Sequence, residues 1–252
     1  MTNPQKLSIK TIMLISLLAF IAMFFQAPIP QSIEYQSFVD GRTIFEIVNF
    51  YNVASNLPFL LVGLYAIVLL KDNKLDINPK IKHLYYIMSF GVIMVFFGSS
   101  YFHFEINNKT LFFDRLPMVI VFMSLFSIVI SEFVDLKIGK KLFPFLLAIG
   151  LISIIYWIIG ESYGVGDLRL YALVQFLPML LIPIILLTFK SQSKNPTPYW
   201  YLLVGYILAK IFEHFDAQVF EVLSVISGHS IKHIIAAFGL LIFYSLKRKR
   251  LR

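Results

Sequence analysis

The sequence predicts an all-α integral membrane protein, on three observations: the apolarity of the whole chain, the length of its apolar runs, and the lopsided placement of its basic residues. Of 252 residues, 58% are hydrophobic and only 14% are charged. The mean hydropathy is +0.79, which is too apolar for a soluble domain of ordinary composition. Eight stretches are long and apolar enough to cross roughly 30 Å of hydrocarbon at about 1.5 Å per residue. They run 9–27, 52–70, 84–104, 111–131, 142–160, 168–189, 198–215 and 228–246. Sixteen Lys and Arg residues fall in alternate connections against two in the others, which places both termini in the cytoplasm.

In the first stretch Lys6 and Lys10 precede a short hydrophobic core, as in a signal peptide. The sequence QAPIPQS after it is a poor small-residue cleavage site, so a retained helix is expected. The net charge of +8 does not point to nucleic acid, because the basic residues lie between spans and not on one soluble face. The terminal LKRKRLR reads as an anchor at anionic lipid. Cysteine is absent, which excludes disulfides, thiolate nucleophiles and Cys-type metal sites. Any metal must therefore be held by nitrogen and oxygen. The Lys/Ile-rich usage fits a bacterial inner membrane, and nothing in the sequence fixes an oligomeric state.

Ionisable residues inside membrane spans are costly and call for pairing or function. His83 opens the third span on the cytoplasmic side and reads as an interfacial residue. His103 lies in the last turn of that span, within GSSYFHF, and the short polar EINNKT leads into LFFDRLPM, which carries Asp114. A tight hairpin brings His103 and Asp114 to one depth. The last span opens SGHSIKHIIAAFG, in which His229 and His233 are four apart and share a helix face. By the charge-derived orientation, all three histidines converge at the outer side. Three neutral imidazoles leave a fourth zinc position open, the arrangement of catalytic zinc. That reading requires the ring of His103 to lie within about 8 Å of the rings of the last helix, since bonds to zinc are only about 2 Å long.

Ser99 stands one turn before His103 and faces the same way, suited to donate to a developing oxyanion; Ser100 serves nearly as well on spacing. Asp114 suits a proton transfer or the orientation of a ligand. Other readings stay open at this point. An intramembrane HxxxH pair also serves as an interhelical hydrogen-bond partner or proton relay, and serine packs helices. In the seventh span Lys210 and Glu213 can pair, Asp216 reaches the outer end, and His214 is a reserve ligand. Those four also admit a proton-coupled transporter.

At these residues the chain resembles the alkaline ceramidase family, within the membrane hydrolases that include adiponectin-receptor-like and GPI-remodelling proteins. The shared features are SxxxH (Ser99 to His103), the Asp114 of FDRLPM, HxxxH (His229 to His233), and NFYNVASNLPFLL, which supplies Asn52, Ser55 and Asn56. The resemblance spans about residues 35 to 245. It implies a seven-helix hydrolase core over 31–246, with one extra transmembrane helix in 1–30 ahead of it and a basic tail at 247–252. It also implies zinc on His103, His229 and His233, with Ser99 and Asp114 as catalytic residues, and a lipid substrate taken from the bilayer. The expected function is a zinc-dependent membrane amidase that hydrolyses ceramide or a related N-acyl lipid to an amine and a fatty acid. The alternative is a seven-helix receptor or sensor with structural zinc and no hydrolysis.

Two departures stand out. The eukaryotic ceramidases have DELPM where this chain has Arg115 after Asp114. They also carry a calcium site built from an acidic N-terminal segment and a Glu that aligns with Asn49. Glu34, Asp40 and Glu46 are present in that connection, but their spacing makes no recognisable calcium loop. Calcium is left open.

Overall fold

The computed structural model describes residues 3–32, 36–189 and 195–249, with side chains from residue 9 onward. Glu34 and the last three residues of the basic tail lie outside the described residues. Every stretch expected to span is helical, and no strand occurs among the described residues. The helices are α1 (Asn3–Phe25), α2 (Phe50–Ala54), α3 (Leu57–Lys71), α4 (Lys82–Phe104) and α5 (Asn108–Val129). They continue with α6 (Leu136–Ser162), α7 (Arg169–Thr188), α8 (Thr197–His214), α9 (Asp216–Leu223) and α10 (Gly228–Leu246).

Among the described residues, six segments are long and apolar enough to cross a membrane: α2 with α3, then α4, α5, α6, α7 and α10. In α1 the apolar part described, Ile9–Phe25, is shorter. The 18-residue α8 is not among the six, because Lys210, Glu213 and His214 dilute its last turn. Lipid is the solvent this exterior suits. Leu61, Phe97, Ile152, Leu180, Ile207 and Phe238 are all more than 50% exposed on helix surfaces.

The chain forms two compact units. The first comprises residues 1–31, 78–88 and 119–196, and holds α1, α6, α7 and the second half of α5. Val119, Met123, Tyr171 and Val174 make a buried cluster there. The end of α1 is fixed by charge: Arg169 donates to the carbonyls of Gln26 at 2.5 Å and Met23 at 3.1 Å, while pairing with Asp167 at 2.8 Å. A cation at a helix C-terminus satisfies carbonyls that have no partner within the helix. After α5 the backbone widens into a π turn, Ile130–Val134, and Asp135 caps α6 by accepting from the Ile138 amide at 2.8 Å.

The second unit comprises residues 32–77, 89–118 and 197–252. Within it α10 packs along α8, where Gly205 and Gly239 meet: a Cβ on Gly205 would lie 3.2 Å from the Cα of Gly239. The second expected span is not one continuous helix. Pro58 in the first turn of α3 has no amide to give the preceding turn, so the helix breaks at Ser55 and Asn56. The break frees the Asn52 carbonyl, which accepts from Ser55 Oγ at 3.0 Å and Asn56 Nδ2 at 2.9 Å. Both side chains thereby gain fixed positions inside the unit.

Candidate metal centre

His103 ends α4, and His229 and His233 open α10, all within the second unit. The start of α10 is set by close packing. A Cβ on Gly228 would meet the Phe212 carbonyl and the backbone of Asp216, so only glycine lets the helix begin there. Asp216, the first residue of α9, reaches across to α10. Its Oδ1 accepts the His229 amide at 2.7 Å, and Ser227 accepts the Ser230 amide at 3.2 Å. These acceptors satisfy two of the free amides of the first turn, and they fix where His229 projects.

The three imidazoles form a nearly equilateral triangle, with ring centroids 4.9, 5.1 and 5.0 Å apart. This is well inside the limit the sequence reading set. Nε2 of His103 lies 3.3 Å from Nε2 of His229. One ligand nitrogen from each ring falls within 4.8 Å of the others, and all three residues are buried. Such a set can hold a metal ion.

The tautomer of His233 follows from its neighbour. Ser55 has one hydroxyl proton, which it donates to the Asn52 carbonyl. At 2.9 Å from Nδ1 of His233, its oxygen then acts as acceptor. This arrangement suits the tautomer with the proton on Nδ1, which leaves the Nε2 lone pair for a ligand role. His103 is steadied through its backbone, where Asn49 Nδ2 donates to its carbonyl at 2.9 Å. Its own Nδ1 is buried without a hydrogen-bond partner.

Ser99, one turn before His103 in α4, lies within interaction range of the Asp114 side chain in α5, and both are buried. Ser100 points elsewhere and donates to the Val53 carbonyl at 3.5 Å, so the two serines that spacing left equal are separated. The approach of α4 to α5 rests on Gly98, where a Cβ would strike the Phe113 carbonyl and lie 3.3 Å from Asp114 Cα. His214 is exposed against Phe215 and takes no part in the cluster. His83 is exposed at the other end of α4.

Several residues at the site carried no role in the sequence reading. Lys232 lies within electrostatic range of Asp114 and of all three histidines, and pairs with Glu213 at 2.6 Å. Lys210 pairs with the other oxygen of Glu213 at 2.5 Å. The expected Lys210 pairing is thus present as part of a triad. Phe38 rests edge-on against His103 at 4.6 Å and His229 at 4.7 Å. A lone Phe in an irregular segment gives no periodic signal, so spacing could not have found it.

A family model described as Ceramidase matches residues 42–248. No curated protein and no solved structure matches the chain.

Proposed function

The chain belongs to the ceramidase family, and from that premise we propose that it is a zinc-dependent membrane amidase cleaving ceramide or a related N-acyl lipid to a sphingoid-type amine and a fatty acid. The carrying observation is the buried triangle of His103, His229 and His233 in a chain whose family match spans the same residues. The donor set suits zinc. Two corners of a tetrahedron with bonds of about 2.0 Å are about 3.3 Å apart, and the Nε2 atoms of His103 and His229 are separated by 3.3 Å.

His103, His229 and His233 would hold the ion, with Ser55 keeping the His233 ring in the ligating tautomer. Bound zinc supplies Lewis-acid polarisation of the amide carbonyl and lowers the pKa of water in the site. Asp114 would take the proton of the attacking water at a carboxylate oxygen as the water oxygen bonds to the carbonyl carbon, and return it to the amide nitrogen. The C–N bond then breaks, and amine and carboxylic acid leave. Ser99, within interaction range of the Asp114 carboxylate, would orient it and offer its hydroxyl to the oxyanion. Lys232 adds a positive field over the reacting centre.

The apolar helix exteriors suit entry of acyl chains from the bilayer. The Lys and Arg asymmetry supports an orientation with both termini cytoplasmic and the site towards the outer face, and the Lys/Ile-rich usage fits a bacterial inner membrane. The test is zinc analysis of the purified protein combined with product release from a panel of N-acyl and O-acyl lipids. One zinc per chain and release of fatty acid from N-acyl sphingoid lipids are expected. Stoichiometric zinc with no turnover on any of them would overturn the reading.

A further inference from the structure

The family resemblance carries a second metal expectation, calcium, and the residues here do not fit it. Calcium takes about six to eight oxygen ligands. Position 49 is an asparagine in the left-handed region at φ 50°, and its Nδ2 is spent on the His103 carbonyl. Among the described residues of the segment ahead of α2, the acids are Asp40 and Glu46. Glu46 is exposed. Asp40 is 1% exposed and already has a cation, because Oδ1 accepts from Arg42 Nε and Oδ2 from Arg42 Nη2, each at 2.7 Å.

The same guanidinium reaches further. Nη2 of Arg42 donates to the Val225 carbonyl at 2.5 Å, in the connection between α9 and α10. Its Cζ lies 4.5 Å over the ring of Tyr51 in α2 and 5.3 Å from that of Phe220 in α9. One cation therefore joins three pieces of chain. The backbone oxygen of Asp40 accepts from Asn52 Nδ2 at 3.4 Å, and Asn52 Oδ1 accepts from Ser230 Oγ at 2.7 Å, between the two histidines of α10. Two residues before Asp40, Phe38 covers His103 and His229.

We infer that the Arg42 guanidinium takes the structural place of a divalent cation: it neutralises Asp40, ties this segment to the α9–α10 connection, and holds Phe38 over the histidines without calcium. A planar, permanently charged fork matches a carboxylate bidentately and stacks on aromatic faces, as an ammonium does not. With Arg42 40% exposed, the ion pair itself contributes little energy. Its weight is positional, which makes Arg42 a positioning residue.

The turnover arm of the test rests on the amidase reading; the other arms do not. Calcium is titrated into the purified, zinc-loaded protein, following binding by calorimetry, the thermal midpoint and lipid turnover. No saturable binding up to about 1 mM, the range of weak calcium sites, and no change in midpoint or turnover are expected.

The chain has no cysteine, so Phe38→Cys introduces a unique thiol whose maleimide reaction rate reports the cover over the histidines. Adding Arg42→Ala raises that rate several-fold, and free guanidinium ion brings it back down while calcium does not. In the otherwise unaltered chain Arg42→Ala lowers turnover by about 10-fold or more, and Arg42→Lys recovers little of it. One calcium per chain that binds the unaltered protein and raises its midpoint would overturn the inference. So would a thiol rate indifferent to Arg42. The calcium titration needs no variant, so it decides even if Arg42→Ala fails to fold. Absence of lipid cleavage alone would count against the amidase reading and leave the binding and thiol results standing.

Discussion

The Ser55 hydroxyl, which donates to the Asn52 carbonyl, stands with its oxygen 2.9 Å from Nδ1 of His233, placed to accept a hydrogen bond from it. A helix break one turn into the second span thereby sets the protonation pattern of an imidazole on the last helix, 178 residues away in sequence.

Removing that acceptor should loosen the metal. For Ser55→Ala, zinc affinity measured against a competing chelator is expected to fall by about 10–100-fold, and turnover with it. Ser55→Thr keeps a hydroxyl and should retain most of both. Unchanged zinc affinity in Ser55→Ala would mean that His233 holds its tautomer without help.

Asp114→Asn preserves shape and removes the proton acceptor. Turnover should drop by about 10²–10⁴-fold while zinc content stays at the unaltered level. Full turnover in this variant would remove Asp114 from the proton transfer.

Gly98→Ala puts a methyl group against the Phe113 carbonyl, a backbone atom that cannot swing aside. A destabilisation of roughly 1–3 kcal/mol is expected from the overpacking. Because the collision borders Asp114, turnover should fall at temperatures where the variant is still folded. A thermal midpoint equal to that of the unaltered protein would show that α4 and α5 can separate freely here.

Asp167 gives a pH signature outside the spans. Burial pushes its carboxyl up, but hydrogen bonds from the side chain and backbone of Arg169 and from the Ile29 amide together hold it below the usual carboxylate range. A depressed folded pKa contributes stability above the unfolded value of about 3.9, and that contribution is lost as pH falls through the folded pKa. Asp167→Asn should therefore lower the thermal midpoint at neutral pH, and the gap should close on acidification below about pH 4. A gap constant across the acid range would assign the effect to something other than this charge.

Much of the centre was legible because its signals are local. His229 and His233 are one turn apart, Ser99 and His103 likewise, and any helix places such pairs on a shared face. The break at Ser55 and Asn56 escaped, although Pro58 marks it, because hydropathy continues smoothly across it. Asp216 was read as an end-of-span acid and proved to cap α10, since a capping contact over 13 residues leaves no periodic trace.

By itself the sequence determined that the chain is helical, that lipid is its solvent, and which imidazoles stand at helix ends, because hydropathy and 3.6-residue periodicity are properties of neighbours along the chain. Only the tertiary structure decided which serine meets Asp114, which oxygen fixes His233, and that Arg42 spans three segments. Those choices depend on where separate helices and loops meet in space, and a contact between remote residues has no period to read.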